Sequence, residues 1–233
     1  MSNPTRIICT PADAVAERIL ETVIVERRTF ILERPSGIEL VFNHPIVLST
    51  YATHEYIPYW TDLWAAGRML AKVVLRESWE QWPAPVHALE IGCGLGLGGI
   101  AALARGLHVT FSDIDEMAVK FATANAARNG FTQFAAMPLD MRSPPEGVTF
   151  PVIIGSDLMY IEAMVEPLAA FIKATLAPGG LALITDPDRE CARSFRWRCG
   201  EAELDVEPSF IRAGEPGGER TKGTIYRIRW SGA

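Results

Sequence analysis

HALEIGCGLGLGG, residues 87–99, is the stretch on which the fold class turns. A short apolar run from His87 to Ile91 feeds glycines at 92, 94 and 96, and an apolar helical stretch follows. Glycine there lets the backbone turn sharply and lets a ligand lie against bare main chain. Nineteen residues beyond Gly94 stands Asp113, closing a second β-rich run, VTFSD. A carboxylate so placed can accept both hydrogen bonds of a ribose diol. A tight β–α turn without a ligand would explain the loop alone. It does not explain loop and acid together.

Two cofactor classes use this geometry. The dinucleotide fingerprint G-x-G-x-x-G fails from Gly92, where the third position is Leu97. It succeeds from Gly94 through Gly96 and Gly99, but that register puts the turn inside the helix and leaves Glu90 unexplained. The pattern E-x-G-x-G-x-G, here Glu90, Gly92, Gly94 and Gly96, resembles motif I of class I methyltransferases. S-adenosyl-L-methionine has an α-ammonium in place of a pyrophosphate. An acid at the strand end favours that cation directly or through water.

Working outward, strand and helix signals alternate. Strands are expected at 86–91, 108–112, 134–138, 151–156 and 181–185, and helices at 97–105, 116–129, 161–175 and 188–198. Such alternation builds a mainly parallel sheet with helices on both faces. AELDVEP and GTIYRIRW, joined by GEPGGERTKG, read as a terminal antiparallel pair. The expected fold is therefore a Rossmann-like α/β methyltransferase with a seven-stranded sheet, its last two strands antiparallel to the rest. Upstream, Thr10, Pro11 and Asp13 open a helix over 10–23 with Val15, Ile19 and Val23 on one face. TFILE and IELVF then form a hairpin across Arg34 to Gly37. The chain is expected to be one domain, 1–233, with an N-terminal extension over 1–55 and a catalytic core over 56–233.

Composition narrows the partners. A net charge of −6 with scattered basic residues gives no groove for a phosphate backbone. Cys9, Cys93, Cys191 and Cys199 show no C-x-x-C spacing, so neither a zinc site nor a disulfide framework is expected. His44, His54, His87 and His108 are read as surface or packing residues, and no metal is expected. The N-terminus MSNPTRIICTPADA shows no leader pattern, and no apolar run spans a bilayer. A cytoplasmic protein without membrane partners, monomeric for preference, is the expectation.

Three further stretches carry a family resemblance. PYWTDLWAAGRMLA (58–71) precedes the glycine loop, SDLMY (156–160) holds a D-x-x-Y pattern, and TDPDR (185–189) follows the fifth strand. With the glycine loop they resemble methyltransferase family 16, the seven-β-strand lysine methyltransferases. Within it they look like the branch of the electron-transfer-flavoprotein β-subunit lysine methyltransferase and its nicotinamide N-methylase-like relatives. The resemblance covers about residues 56–190. Many members carry a tryptophan where this chain has Met141, and the branch has glycine where this chain has Asp188. The resemblance implies that Asp140 meets the adenine amino group with Met141 beside the ring, unless Asp140 only caps its loop. It places Ser156 in the cofactor set and Asp157 and Tyr160 at the methyl acceptor.

The chemistry agrees with that placement. A lysine amine has a pKa of about 10.4 and arrives protonated. Asp157, past a strand's carboxyl end, suits an incoming ammonium, although an anion by itself would not lower the amine's pKa. Tyr160 orients Asp157, donates to the substrate, or is a core tyrosine. Tyr59, Trp60 and Trp64 offer aromatic faces to sulfonium or ammonium cations. A ligand role is favoured for Trp60, while Trp64 is left between ligand and packing. The expected enzyme is an S-adenosyl-L-methionine-dependent N-methyltransferase acting on a protein lysine. Its rivals are a small-molecule amine or nicotinamide-type N-methyltransferase and a non-catalytic cofactor-binding protein. A nucleic-acid N-methyltransferase would show Pro-Pro before an aromatic residue where Leu158-Met159 stands.

Overall fold

A computed structural model of the chain describes residues 7–215 and 217–232. The first six residues of the stretch read for a leader lie outside them. Seven strands form one sheet: β3 (His87–Ile91), β4 (His108–Ser112), β5 (Phe134–Ala136), β6 (Phe150–Ser156), β7 (Leu176–Asp186), β8 (Leu204–Ala213) and β9 (Thr221–Trp230). Their spatial order is β5-β4-β3-β6-β7-β9-β8. Strands β3 to β7 pair in parallel, and β9 runs against both β7 and β8. Two reversals restore the original direction, so β8 points with the parallel strands and only β9 opposes them. The terminal pair is antiparallel as expected, but its two strands do not both oppose the rest.

Period-two alternation sorts the core into two layers. Ala88, Val152, Ile154, Leu181 and Leu183 face one side, where α3 (Ala65–Arg76), α4 (Leu97–Leu103) and α5 (Glu116–Arg128) pack. Leu89, Ile91, Ile153, Ala182 and Ile184 face the other, against α6 (Val165–Thr175) and α7 (Phe195–Glu201). The same alternation sends Glu90 under α4. Strand order turns around between β3 and β6, so their carboxyl ends open side by side. Open α/β sheets place ligands at that point. The histidines His87 and His108 meet edge-on across the opposite ends of β3 and β4, with ring centroids 5.2 Å apart.

The N-terminal region departs from expectation. The stretch expected as a helix is a short 3₁₀ turn, Ala12–Val15, followed by strand β1 (Arg18–Val25). The run Thr22-Val23-Ile24-Val25 is β-branched throughout, which disfavours helix and suits a pleated surface. Its burial alternates, with Val23 and Val25 inside, and that period outweighs the four-residue spacing of Val15, Ile19 and Val23. β1 pairs with β2 (Arg28–Pro35) across Glu26-Arg27, where Glu26 takes φ +58°. The hairpin therefore lies upstream of the expected one. The segment IELVF is helix α1 (Ile38–Phe42), and α2 (Pro45–His54) follows.

Two asparagines, Asn125 on α5 and Asn129 at its C-cap, hold this hairpin to the core. Asn125 Oδ1 accepts from Glu33 N at 2.7 Å, and its Nδ2 donates to Glu33 O at 3.0 Å and to Leu95 O at 3.1 Å. One turn on, Asn129 makes the same pair of contacts with Ile31. Spaced four apart, the two amides act as a partner strand for the free edge of β2. Asn125 is fully buried and also reaches the glycine loop. Asn125→Ala is expected to strand several backbone groups and to cost at least about 2 kcal/mol in urea unfolding. A loss under about 0.5 kcal/mol would show that the amide is dispensable.

Candidate functional site

The loop from β3 into α4 uses its glycines in two ways. Gly92 and Gly94 lie at φ +58° and +50°, a region that side chains rarely adopt. A Cβ on Gly92 would sit 2.4 Å from Leu158 Cδ2, so this turn packs directly against SDLMY. A Cβ on Gly94 would meet only the Trp60 backbone and Cβ, at 3.7 Å. Gly96 and Gly99 are closed by packing. A Cβ on Gly96 would come within 2.8 Å of Ala122 Cβ, and one on Gly99 within 2.4 Å of the Phe111 ring. Close helix–strand contact thus accounts for the Gly94-Gly96-Gly99 register that mimics a dinucleotide fingerprint.

Asp113 follows β4 and is buried; its Oδ2 accepts from Gly94 N at 3.0 Å and its Oδ1 from Asp115 N at 3.1 Å. Burial pushes its carboxyl up to about 6, while these amides pull the other way. Glu90 lies deeper, with its carboxylate against Gly98 and Gly99. Burial pushes it up to about 8, the Gly98 and Gly99 amides only partly offset this, and Oε2 has no hydrogen-bond partner. Asp140 is nearly sealed: Arg142 Nη2 donates to Oδ2 at 2.7 Å, and Arg142 Nε and N donate to Oδ1 at 2.8 and 3.0 Å. Met141 is half-buried against the second core layer.

At the carboxyl end of β6, Ser156 is half-buried and Asp157 adopts φ +62°. The Asp157 carboxylate is ion-paired to Arg189 Nη1, which also lies 3.5 Å from Asp186 Oδ2. Arg189 N donates to Asp186 Oδ1 at 2.7 Å. Tyr160 is turned outward. Burial, and then the charge of Asp113, raise its pKa. Its ring lies 5.4 Å from that of Tyr59, which meets Trp64 edge-on at 5.9 Å. Trp64 is open to solvent, whereas Trp60 is buried on Phe121 at 5.3 Å. Trp60 Nε1 donates to Asp115 Oδ2 at 3.0 Å.

A family model described as lysine methyltransferase matches residues 59–194, more than half of the chain. The chain belongs to the lysine methyltransferase family. It is 27% identical to protein-lysine N-methyltransferase rrg1 of Schizosaccharomyces pombe, over 97% of this chain and 76% of that protein. It is 34% identical to ribosomal protein L11 methyltransferase of Syntrophotalea carbinolica, over 52% of this chain but only 38% of that one. The fold is similar to that of the glycopeptide N-methyltransferase MtfA complexed with S-adenosyl-L-methionine. The TM-score is 0.56 at 14% identity, covering 72% of this chain and 96% of that one. This family member is an S-adenosyl-L-methionine-dependent methyltransferase, and its residues fit that cofactor. Gly94 presents positive-φ backbone with room beside it, and Asp113 keeps lone pairs beyond the two it uses.

Four residues of this lysine methyltransferase family member were not assigned roles from sequence. Asp115 is fully buried and caps α5 through Met117 N at 2.8 Å. It also accepts from Thr10, Tyr56 and Trp60, so it ties the N-terminal region to the loop beside Asp113. The Asp-Glu start of a helix was its one visible signal. Tyr56 had none. Arg142 and Arg189 follow the third and fifth strands, but only the fold shows that each grips an acid.

The raised carboxyls imply a pH dependence. Glu90 binds its proton to about pH 8 when folded but only to about 4.5 when unfolded. Its stabilising contribution is therefore present below about 4.5 and lost as pH rises to about 8. Asp113 and Asp186, both near 6, complete their share earlier. Between pH 6 and 8 the cofactor-free protein is expected to lose about 1.4 kcal/mol per pH unit through Glu90. Glu90→Gln should flatten that slope in guanidinium unfolding, and an unchanged slope would assign it to another group.

Proposed function

We propose that this enzyme methylates the ε-amine of a lysine in a protein substrate. The observation that carries the reading is the packing of Leu158, in SDLMY, on Gly92 of the glycine loop, which supports a role for the neighbouring Asp157 and Tyr160 beside the cofactor cradle. The similarity to protein-lysine N-methyltransferase rrg1 supports it. Gly94 gives the cofactor a bare backbone to lie on, Gly92 makes the turn beneath Leu158, and Asp113 accepts from the cofactor's ribose. Glu90 supports the loop from beneath α4, and Gly96 lets α4 pack closely. Trp60 walls the loop, Ser156 and Met141 line the cleft, and Asp140, oriented by Arg142, receives the adenine amino group. Bound S-adenosyl-L-methionine supplies a sulfonium-activated methyl for in-line transfer to nitrogen.

The rest is the work of Asp157 and its neighbours. Asp157 accepts a hydrogen bond from the acceptor amine and orients the nitrogen. A lone carboxylate would favour the ammonium form. Arg189, paired with it, offsets that charge, so the neutral amine can stay in place after its proton leaves to water. Tyr160 and Trp64 border the acceptor's path. The test is incubation with methyl-labelled cofactor and an unlabelled lysate, followed by separation of labelled protein from labelled small molecules. Label on protein lysine is expected. Label only on small amines would establish a small-molecule N-methyltransferase instead.

A further inference from the structure

Tyr59, Trp64 and Tyr160 are 39%, 40% and 42% exposed, and Tyr59 packs against each of the other two, at 5.9 Å from Trp64 and 5.4 Å from Tyr160. Exposed aromatic rings lose little by facing water singly, but three in contact form a recognition surface. The Trp64 indole is fixed, since its Nε1 donates to Tyr59 O at 2.7 Å. Tyr59 and Trp64 stand at 76° to each other, and Tyr59 and Tyr160 at 56°, so the trio presents angled walls. Among the described residues, cation–π contacts fall on Phe121, Trp197 and Trp230. Exposed Trp197 has Arg198 over its face, whereas no arginine or lysine is so placed over the trio.

The charges around the mouth are already paired. Asp157 holds Arg189, and Asp140 holds Arg142. With the Asp157 charge offset by Arg189, the further attraction open to an incoming N-methyl cation is the electron-rich ring faces. A primary ammonium is strongly hydrated and demands hydrogen-bond acceptors. Each methyl on nitrogen removes an N–H donor and weakens hydration, which suits an aromatic surface. We infer that the Tyr59–Trp64–Tyr160 surface seats the N-methyl groups of the acceptor, so that methylated amines bind better than unmethylated ones and successive transfers are favoured. This rests on the amine-methyltransferase reading but is tested by binding alone.

The experiment titrates the full chain, with S-adenosylhomocysteine present, with Nα-acetyl-lysine amide and its Nε-trimethyl form. Proton NMR follows the N-methyl signal, and calorimetry follows both probes. A saturable upfield shift is expected for the trimethyl probe, since ring currents act on protons over aromatic faces. Its affinity should exceed that of the unmethylated probe about tenfold. Trp64→Leu and Tyr160→Leu, both at exposed positions, should each weaken it about fivefold while far-UV circular dichroism stays native. Equal or tighter binding of the unmethylated probe, absence of binding by either, or indifference to both substitutions would overturn the inference. Failure of the function itself looks different: no label reaches any amine, whatever these affinities are.

Discussion

Gly94→Val is expected to abolish measurable binding of S-adenosylhomocysteine while far-UV circular dichroism stays native. Gly94 sits at φ +50°, and its N–H is held at 3.0 Å by Asp113. A β-branched residue is a steric outlier at positive φ. It would swing the peptide away from Asp113 and leave a buried carboxylate half-satisfied. A loss of at least about 3 kcal/mol, or more than a hundredfold in affinity, follows from strain and lost contact together. Gly94→Ala separates the causes. Its Cβ would lie 3.7 Å from the Trp60 atoms, an ordinary contact, so left-handed strain of about 1 kcal/mol is the only cost if the cofactor avoids that side. Alanine as damaging as valine would mean that the cofactor fills the Cβ position. Gly106→Ala is the control. It has φ +85° with nothing within 4 Å of its Cβ, so it should lower stability and spare binding.

Sequence exposed the parts of the fold where one signal dominates. The core strands were readable because β3, β4 and β6 are short apolar runs bounded by glycine or acid. The N-terminal region was not, because Val15, Ile19 and Val23 satisfy a helical spacing while Thr22 to Val25 satisfy a strand. That ambiguity is resolved only by tertiary partners, here Asn125 and Asn129 completing the edge of β2. Direction in the terminal pair is likewise a topological fact. Each strand pattern is unchanged by reversal, so the sequence of β8 cannot report that it realigns with β7. At the site, Asp113 could be found by its spacing from the glycine loop, and Asp140 and Asp157 by the family resemblance. Their partners could not. Arg142 lies two residues from Asp140 and Arg189 lies 32 from Asp157, and nothing in either interval marks a pair. The three glycines that look equivalent in the motif also divide by environment, as Gly94 meets Trp60 only at ordinary contact distance, whereas Gly92 is closed by Leu158 and Gly96 by Ala122 and Phe111.

The second large effect is expected at Asp157. Asp157→Asn should depress methyl transfer about a hundredfold or more and leave cofactor affinity nearly unchanged, as read from labelled protein and from calorimetry. Asparagine is the informative substitution because Asp157 sits at φ +62°. Asparagine tolerates that conformation well, whereas alanine would add left-handed strain of about 1 kcal/mol to the loss of charge. Removing the carboxylate charge has two consequences. The acceptor nitrogen loses a charge-assisted hydrogen bond of about 1.5–3 kcal/mol. The Arg189 guanidinium, left with Asp186 at 3.5 Å as its remaining acid, then presents uncompensated positive charge to an incoming amine. Together these account for a loss of about 3 kcal/mol in the barrier, or roughly two orders of magnitude. Adding Arg189→Met to Asp157→Asn should restore part of the rate, because it removes the repulsion and not the missing hydrogen bond. A capping role for Asp157 is excluded, since the 3₁₀ turn Glu162–Met164 starts at Ile161 without a side-chain cap. If Asp157 serves only to hold its loop in the left-handed turn, Asn should retain most of the activity and the double variant should gain nothing. That pair of results would remove Asp157 from the acceptor site and leave Tyr160 as the group nearest the transferred methyl.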